Sequence, residues 1–204
     1  DVIISSCSFS ENTGNGLHPG AGSKNVLFED CDSHSNGNCG FFFCVRANHI
    51  TVRGSRFSGN GTGVSIGTRD CYNLIEDCTI ENNEGAGILA RSSPRPVEVH
   101  SCHVRGCLIS GNAISRGQGQ VEIVTEAHDL IFSKNRVAAG DQGGADKPGF
   151  FIESTAQQIF LEQNHVQGCC IEIEAKSGSL AETAPSIECG YNTGSEDKYR
   201  HLLV

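Results

Sequence analysis

Short apolar runs separated by polar corners recur along this chain at a nearly constant distance. In the clearest unit, residues 73–91, an apolar run at Leu74 and Ile75 leads to a corner at Cys78, and a second run around Ile80 precedes a polar turn and a third run. Three strands this short cannot bury their own apolar side chains, but they can when each turn of chain stacks on an equivalent turn. The pattern therefore predicts a solenoid of β-strands.

The corner position repeats through most of the sequence. It is occupied by Cys7, Cys31, Ser55, Cys78, Cys102, Asn135 and Asn164. The successive separations of 24, 24, 23, 24, 33 and 29 residues indicate four regular steps and then two coils with insertions, at residues 108–120 and 140–148. Five residues after each of the first four corners stand Asn12, Asn36, Asn60 and Asn83, each with a Gly close behind. Because Asn and Gly tolerate a left-handed backbone, we expect tight turns there.

The third run of each unit alternates between two kinds of side chain. It reads GLHPG, GFFFC, GVSIG, GILAR, QVEIV, GFFIE and CIEIE in successive units. Since every second residue of a strand points to the same side, the residue after the first Gly and the one two positions later should point inward. One outward column should then contain His18, Phe42, Ser65, Leu89, Glu122 and Glu172. A second should contain Gly20, Cys44, Gly67, Arg91, Val124 and Glu174.

A repeat of this length with three strands per turn resembles the right-handed parallel β-helix of the pectate-lyase-like superfamily. The hexapeptide β-helix has a shorter period, and the signatures of leucine-rich repeats and propellers are missing from the sequence. The resemblance covers residues 1 to about 190 and implies an all-β, single-stranded right-handed parallel β-helix of about eight coils. It also implies an internal ladder at the tight corner, here mostly Cys, with Asn returning in the last two coils.

Length and charge fit one such stack. At 204 residues we expect a single domain over residues 1–204, with residues 190–204 forming a cap or a frayed tail. The chain begins inside a strand-like run, and a bare solenoid end would expose strand edges, so we expect further coils before residue 1. The net charge of −9 argues against a nucleic-acid partner. No apolar run reaches the length of a membrane span.

The sequence contains 11 Cys, an odd number, with several at the corners. This distribution favours a buried ladder of reduced thiols over a disulfide framework, with bridges between neighbouring coils as the alternative. The state of less regular thiols such as Cys169 and Cys170 is left open. The sequence has no CxxC pairs of the metal-binding type, which argues against a zinc site.

In the families that the chain resembles, the third strand and its flanking corners line the polysaccharide groove. The rung spacing of ~4.8 Å is close to one sugar unit, so neighbouring coils can contact neighbouring sugars. Our candidate catalytic residues on this face are His18, Arg46, Arg69, Asp70 and Arg91. Our candidate substrate-binding residues are Phe42, Ser65, Glu122, Glu126, Glu153 and Glu172.

These residue types suit chemistry on an acidic sugar. Elimination from a uronate requires its carboxylate to be neutralised, which forked guanidinium groups do well, and a base such as His18. Hydrolysis requires two carboxylates facing one bond, for which Asp70 and Glu122 are the pair to consider. Each residue also has a structural interpretation: His18 as a turn residue beside Pro19, the arginines as solvated corner charges, and Phe42 as a packing contact.

Several segments sharpen the resemblance. GLHPG, FFFCVR, GVSIGTRD and GILAR are similar to a bacterial β-helix subgroup predicted to act on carbohydrates. Members often carry a His or Lys near the position of Thr68 and acidic residues after that of Arg91, and this chain departs from both patterns with Thr68, Ser92 and Ser93. The paired aspartates and Gly-His-Gly of polygalacturonases are missing. The Asp-Pro-His of mannuronan epimerases is also missing, because His18-Pro19 lacks the Asp.

The sequence therefore predicts a protein with a polysaccharide partner, with elimination as the leading reaction. The alternatives are a glycoside hydrolase and a non-catalytic module that binds glycans or belongs to a surface or spike assembly. The outward Glu column makes Ca²⁺ a candidate cofactor. A polysaccharide partner agrees with an extracellular or periplasmic location, which we expect here.

Overall fold

The described part of the chain contains 23 short strands joined by turns and loops. The computed structural model describes residues 1–93, 96–124, 126–140, 146–153, 155–175, 187–190, 193–194 and 199–203, without the side chains of residues 172–175, 187–190, 194 and 199–203. In these ranges, no helix combines the length and the apolar composition that crossing a bilayer requires.

The strands form three sheets and are numbered in chain order. The first sheet contains β1 (Val2–Ser5), β3 (Lys24–Glu29), β6 (Asn48–Arg53), β9 (Leu74–Glu76), β12 (His103–Arg105), β15 (His128–Ser133), β18 (Gln157–Glu162) and β21 (Ile187–Gly190). The second contains β2 (Ser8–Ser10), β4 (Asp32–His34), β7 (Arg56–Ser58), β10 (Thr79–Glu81), β13 (Leu108–Ser110), β16 (Arg136–Ala138), β19 (His165–Gln167) and β22 (Thr193–Gly194). The third contains β5 (Cys39–Phe42), β8 (Thr62–Ile66), β11 (Ile88–Ala90), β14 (Val121–Ile123), β17 (Phe150–Glu153), β20 (Ile171–Ala175) and β23 (Tyr199–Leu203).

The chain visits the three sheets in turn, and all neighbouring strands pair in parallel. Coil one contains β1 and β2, coil two contains β3 to β5, coil three β6 to β8, coil four β9 to β11, coil five β12 to β14 and coil six β15 to β17. The predicted all-β parallel β-helix with three strands per coil is confirmed. Within residues 190–204, expected to form a cap or a frayed tail, β22 and β23 continue the second and third sheets.

The inward column of the third sheet stacks in register from coil to coil. It contains Leu17, Phe41, Val64, Ile88, Val121, Phe150 and Ile171, none more than 8% exposed. The predicted alternation is therefore confirmed. Phe41 also contacts Phe28 of the first sheet and Phe57 of the second, with ring centroids 4.9 and 6.0 Å away. Each coil thus brings apolar side chains from all three sheets to one shared interior.

The corner between the first and second sheets carries the predicted ladder, except in coil five. The structure places there Cys7, Cys31, Ser55, Cys78, Cys107, Asn135 and Asn164. The prediction of Cys102 is wrong: His103 pairs with Leu74, so Cys102 lies level with the inward-pointing Asn73 inside the first sheet. Two Cys five residues apart compete for this corner, and the even 24-residue spacing favoured the wrong one.

This change of register also moves the insertion in coil five. Residues 108–110, assigned to an insertion, form the regular strand β13. Part of the extra length instead precedes β12, between residues 91 and 102. Of the second predicted insertion, 140–148, residues 141–145 lie outside the described residues. All ten described cysteines are free thiols, including Cys169 and Cys170, whose state the sequence left open. Cys31, Cys78 and Cys107 are buried in the ladder, as predicted for corner thiols, while Cys7 is exposed.

An asparagine ladder fills the corner between the second and third sheets. In each coil the backbone N–H and the side-chain Nδ2 of one Asn donate to Oδ1 of the next, at 2.8–3.2 Å. The series runs Asn12, Asn36, Asn60, Asn83, Asn112 and ends on Oε1 of Gln120. The left-handed residues are those just before each Asn, contrary to the expectation for Asn itself. These are Glu11, Ser35, Gly59, Asn82 and Gly111, with φ from 54° to 64°.

Candidate functional site

The outer face of the third sheet carries the predicted outward column, although Ser65, Phe151 and Glu122 within it are buried, at 2, 3 and 6% exposure. Strand pairing aligns Phe42, Ser65, Leu89, Glu122, Phe151 and Glu172. His18 extends this column into coil one, because Leu17 pairs with Phe41. Phe151 was missed in the sequence, although GFFIE fits the repeat of the third run. The side chain of Glu172 lies outside the described residues, so only its backbone position is known.

Arg91, which follows β11, reaches across two coils of this face. Its Nη2 donates to the carbonyl oxygen of Phe43 at 2.7 Å, and its Nη1 donates to Oγ of Ser65 at 3.2 Å. Its Cζ lies 4.3 Å from the centroid of the Phe42 ring, within the range of a cation–π contact. The side chain has this path because Gly67 lies beneath it, where a Cβ would stand only 2.4–2.7 Å from Arg91 Cγ, Nε and Cζ.

Asp70 is the buried partner of this guanidinium. It is 0% exposed, and its Oδ1 accepts the N–H of Ala47 at 3.0 Å while Oδ2 accepts that of Gly67 at 2.8 Å. Arg91 Nη2 lies 3.3 Å from Oδ2. Burial raises the pKa of Asp70 to about 7, against the opposing effect of the Gly67 amide, Arg91 and the Ala47 amide, and burial also lowers the pKa of Arg91. Asp70 therefore acts on this face only through Arg91.

The structure does not bring Asp70 and Glu122 to face one bond. Asp70 pairs with Arg91 rather than with its neighbour Arg69. Glu122 is only 6% exposed, and its Oε1 accepts backbone N–H groups from residues 118 and 119, at 2.5 and 3.2 Å, in the loop before β14. Both carboxylates therefore hold internal donors, which is not the arrangement that hydrolysis requires.

His18 and Phe42 complete the exposed part of this site. His18 is exposed, and its ring meets the Phe42 ring edge-on, with centroids 5.1 Å apart at 84°. The Phe42 ring thus contacts both an imidazole and the Arg91 guanidinium. We call the line His18, Phe42 and Arg91, with the Ser65 hydroxyl beside it, the third-sheet site.

Arg46 and Arg69 lie in the corner that follows the third sheet, in coils two and three. Both side chains are exposed, and Arg46 N donates to the carbonyl oxygen of Thr68, which sets the two arginines one rung apart. Their φ values are 67° and 57°, and the equivalent residue of coil one is Gly22, at 74°. A left-handed conformation costs a non-glycine residue about 1 kcal/mol. The three predicted arginines therefore divide: Arg91 bonds inside the protein, while Arg46 and Arg69 face solvent.

The remaining acidic candidates lie further along the solenoid. Glu126 is half-buried in the corner after β14, and Glu153 is half-buried at the end of β17. Among the described residues, no three His, Cys, Asp or Glu side chains lie close enough together to hold a metal ion. A calcium ion on the Glu column stays a prediction, since the side chains of Glu172 and Glu174 are outside that description.

Three solved structures share this architecture. The A-module of the mannuronan C-5 epimerase AlgE4 of Azotobacter vinelandii is 15% identical, with a TM-score of 0.72 over 99% of this chain and 55% of that one. A double mutant of the tailspike protein of E. coli bacteriophage HK620, in complex with a pentasaccharide, is 9% identical, with a TM-score of 0.63 over 95% and 42%. The alginate lyase of Paenibacillus sp. str. FPU-7 is 7% identical, with a TM-score of 0.55 over 98% and 90%.

At these identities the likeness is one of fold. The chain spans about half the length of the first two structures, so it corresponds to part of each. No curated protein matches the sequence. A family model described as "right handed beta helix region" matches residues 1–125, more than half of the chain. Together with the three parallel sheets, this match shows that the chain belongs to the family of right-handed parallel β-helix proteins.

Proposed function

We propose that the third-sheet site binds a uronate-containing polysaccharide and that the protein cleaves this polymer by β-elimination. The observation that carries the proposal is the Phe42 ring, flanked by the exposed His18, with Arg46 and Arg69 exposed on the adjoining corner. A ring offers a stacking surface to the C–H face of a sugar, and guanidinium groups bind its carboxylate. One rung is about as long as one sugar, so a chain along the solenoid axis meets these groups in order.

The proposed reaction assigns one task to each exposed group. Arg46 and Arg69 neutralise the uronate carboxylate, which makes the neighbouring C5 proton more acidic. His18 removes that proton, the C5–H electron pair forms the new C4=C5 double bond, and the C4–O bond breaks. The leaving oxygen takes a proton from solvent. Arg91 and Asp70 hold the Phe42 ring and the strand ends in place, and neither forms a bond to the substrate.

A non-catalytic glycan-binding or spike module is the second candidate. It is favoured by the internal hydrogen bonds of Asp70, Arg91 and Glu122, which leave His18 as the acid–base group facing this site among the described residues. Hydrolysis is the least supported reaction for the same reason. The similar structures support a polysaccharide as the ligand class, since their names give an epimerase of mannuronan, a lyase of alginate and a tailspike with a bound pentasaccharide. An extracellular or periplasmic location goes with this proposal.

Incubation with alginate and with polygalacturonate, with and without calcium, tests the proposal. Elimination gives unsaturated ends that absorb ultraviolet light, and His18→Ala should abolish them. His165→Ala is the matched control, because His165 is also exposed but lies on the second sheet. New reducing ends without ultraviolet absorbance would indicate hydrolysis instead, and retention on either polymer without products would indicate the binding module. If neither polymer is bound or cleaved, the proposal is wrong.

A further inference from the structure

The outer face of the first sheet carries a second lengthwise surface, on a different side of the solenoid from the third-sheet site. Its floor is one column of residues that pair strand to strand. They are Ile3, Leu27, Thr51, Leu74, His103, Ile131 and Phe160. From Leu27 onward these side chains are half-buried, so an apolar stripe interrupted by two polar residues remains open to solvent. A shallow cavity of about 450 Å³ lies over its first four coils.

One wall of this surface is a series of rings. His49, Tyr72, His100 and His128 come from four successive coils, and neighbouring ring centroids are 5.2, 5.7 and 5.0 Å apart. Tyr72 is 56% exposed. Asp129 Oδ2 lies 2.8 Å from His128 Nδ1 and orients that ring. These rings are exposed or half-buried, and they offer ring faces and edges beside the floor, together with the polar nitrogens of three imidazoles.

The other wall is a ladder of charges that neutralise one another. Glu29, Arg53, Glu76 and Arg105 follow one another on coils two to five. Arg53 lies 2.9 Å from Glu29 and 3.9 Å from Glu76, and Nε of Arg105 donates to Oε2 of Glu76 at 2.9 Å. Because positive and negative groups alternate and pair, this wall attracts neither an anionic nor a cationic polymer. It still offers carboxylate oxygens and N–H groups along its whole length.

We infer that this surface, the first-sheet groove, binds a neutral polysaccharide chain that runs along the solenoid axis. The apolar floor and the ring wall fit the C–H faces of pyranose rings, and the charged wall fits their hydroxyl groups. The rung spacing of ~4.8 Å brings a new set of these groups to each successive sugar. The inference goes beyond the proposed function, because it concerns another sheet and a sugar without a carboxylate.

The inference is tested by affinity electrophoresis of the whole chain. Three gels contain a soluble neutral polymer (hydroxyethyl cellulose, galactomannan or dextran), and a fourth contains alginate. We expect at least one neutral polymer to retard the protein, and Tyr72→Ala and Leu74→Gln each to weaken that retardation about tenfold. Phe42→Ala is the matched control: it removes a ring from the third-sheet site and should leave retardation by the neutral polymer unchanged.

Two kinds of gel result would overturn the inference. One is migration unaffected by all three neutral polymers. The other is retardation that Tyr72→Ala and Leu74→Gln leave intact, or that Phe42→Ala removes. Sedimentation of wild type and Leu74→Gln accompanies the gels: self-association that Leu74→Gln abolishes would identify the groove as an interface between copies, and so would also overturn it. The gels with neutral polymers test this inference separately from the proposed function, because they can be interpreted even if alginate does not retard the protein. Circular dichroism of each variant verifies its fold.

Discussion

Two outer faces of the same solenoid use arginine and carboxylate in opposite ways. On the third sheet, Arg91 lies over a carboxylate, that of Asp70, which is 0% exposed and also holds two backbone N–H groups. On the first sheet, Arg53 and Arg105 have side chains 44% and 50% exposed, and they alternate with Glu29 and Glu76 along the strands. Both faces pair guanidinium groups with carboxylates, but the number of hydrogen-bond partners of each group and its exposure to water differ.

The difference shows that burial, rather than the presence of an ion pair, decides what such a pair does. On the first sheet, water reaches both arginines and Glu29. Glu76, whose side chain is only 9% exposed, is shared by the two arginines, so losing one of them still leaves it a partner and each pair contributes little to stability. The carboxylate of the third-sheet pair is shielded, so losing Arg91 leaves a charge that water cannot reach. The Arg91–Asp70 pair fixes the backbone of three coils, and the charge ladder of the first sheet forms a neutral wall.

The largest effect is expected from Arg91→Met. This substitution keeps most of the side-chain bulk but leaves the Asp70 carboxylate buried without its counter-charge, so the free energy of unfolding should fall by ~3 kcal/mol. Urea denaturation at pH 8 measures the change. Arg105→Met is the matched substitution on the first sheet and should cost only ~1 kcal/mol, because Glu76, although its side chain is 9% exposed, keeps Arg53 as a counter-charge 3.9 Å away. Equal losses in the two variants would remove the basis of the comparison.

A smaller loss is expected from Gly67→Ala. The added Cβ would overlap the Arg91 side chain at 2.4–2.7 Å and push the guanidinium off Phe42 and Asp70, at a cost of ~2 kcal/mol. Gly20→Ala is the control, because Gly20 holds the same column position in coil one and a Cβ there would have no atom within 4 Å. Thermal unfolding should separate the two variants clearly, and a Gly67→Ala protein that melts like Gly20→Ala would contradict the described path of Arg91.

The pH dependence of stability follows from the raised pKa of Asp70. Its pKa is about 7 in the folded chain and 3.8 without burial, so between these values the folded state binds the extra proton. Stability from this group is thus full below about pH 4 and is lost as the pH rises through 7. Relative to Asp70→Asn, the wild type should gain roughly 1–3 kcal/mol between pH 8 and pH 5.

Urea titrations of both proteins at the two pH values measure this difference. The comparison with Asp70→Asn removes other contributions, such as those of His100 and His103, whose pKa values are lowered by burial and which act in the opposite direction. A difference of opposite sign would mean that the hydrogen bonds to Asp70 outweigh its desolvation.

The smallest effect is expected on the first sheet, from Arg53→Gln. Both ion pairs of Arg53 involve a side chain that is 44% exposed, so the loss should be ~0.5 kcal/mol and should shrink further in high salt. Urea midpoints measured at low and high sodium chloride provide the test. A loss as large as that of Arg91→Met, or one insensitive to salt, would show that the ladder is a structural element like the third-sheet pair.

Much of the fold follows from the sequence, because each coil repeats the same requirement for inward apolar residues. The register failed only where the sequence offered two equivalent choices, Cys102 and Cys107. Because of that error in register, Asn112 was not grouped with the asparagines predicted at turns. In the correct register, Arg105 stands two residues before its corner, as the other members of the charge ladder do.

The site was less predictable, since column positions follow from strand alternation but side-chain paths do not. The predicted outward column has the correct register, but it omitted Phe151. The reach of Arg91 depends on the small residues Ser65 and Gly67 beneath it, and the burial of Glu122 depends on a loop whose shape no periodicity encodes. Partners of this kind are set by tertiary contacts, and spacing alone does not reveal them.

The hydrogen bond from Arg91 to the carbonyl oxygen of Phe43 joins residues 48 positions apart, so it connects coil four to coil two. In most solenoids each repeat depends only on its immediate neighbours, and whole repeats can be duplicated or lost with little penalty. Here the insertion or deletion of a coil between residues 43 and 91 would place the Arg91 guanidinium against the wrong coil. If coils were gained or lost during the evolution of this protein, we therefore expect those changes outside coils two to four.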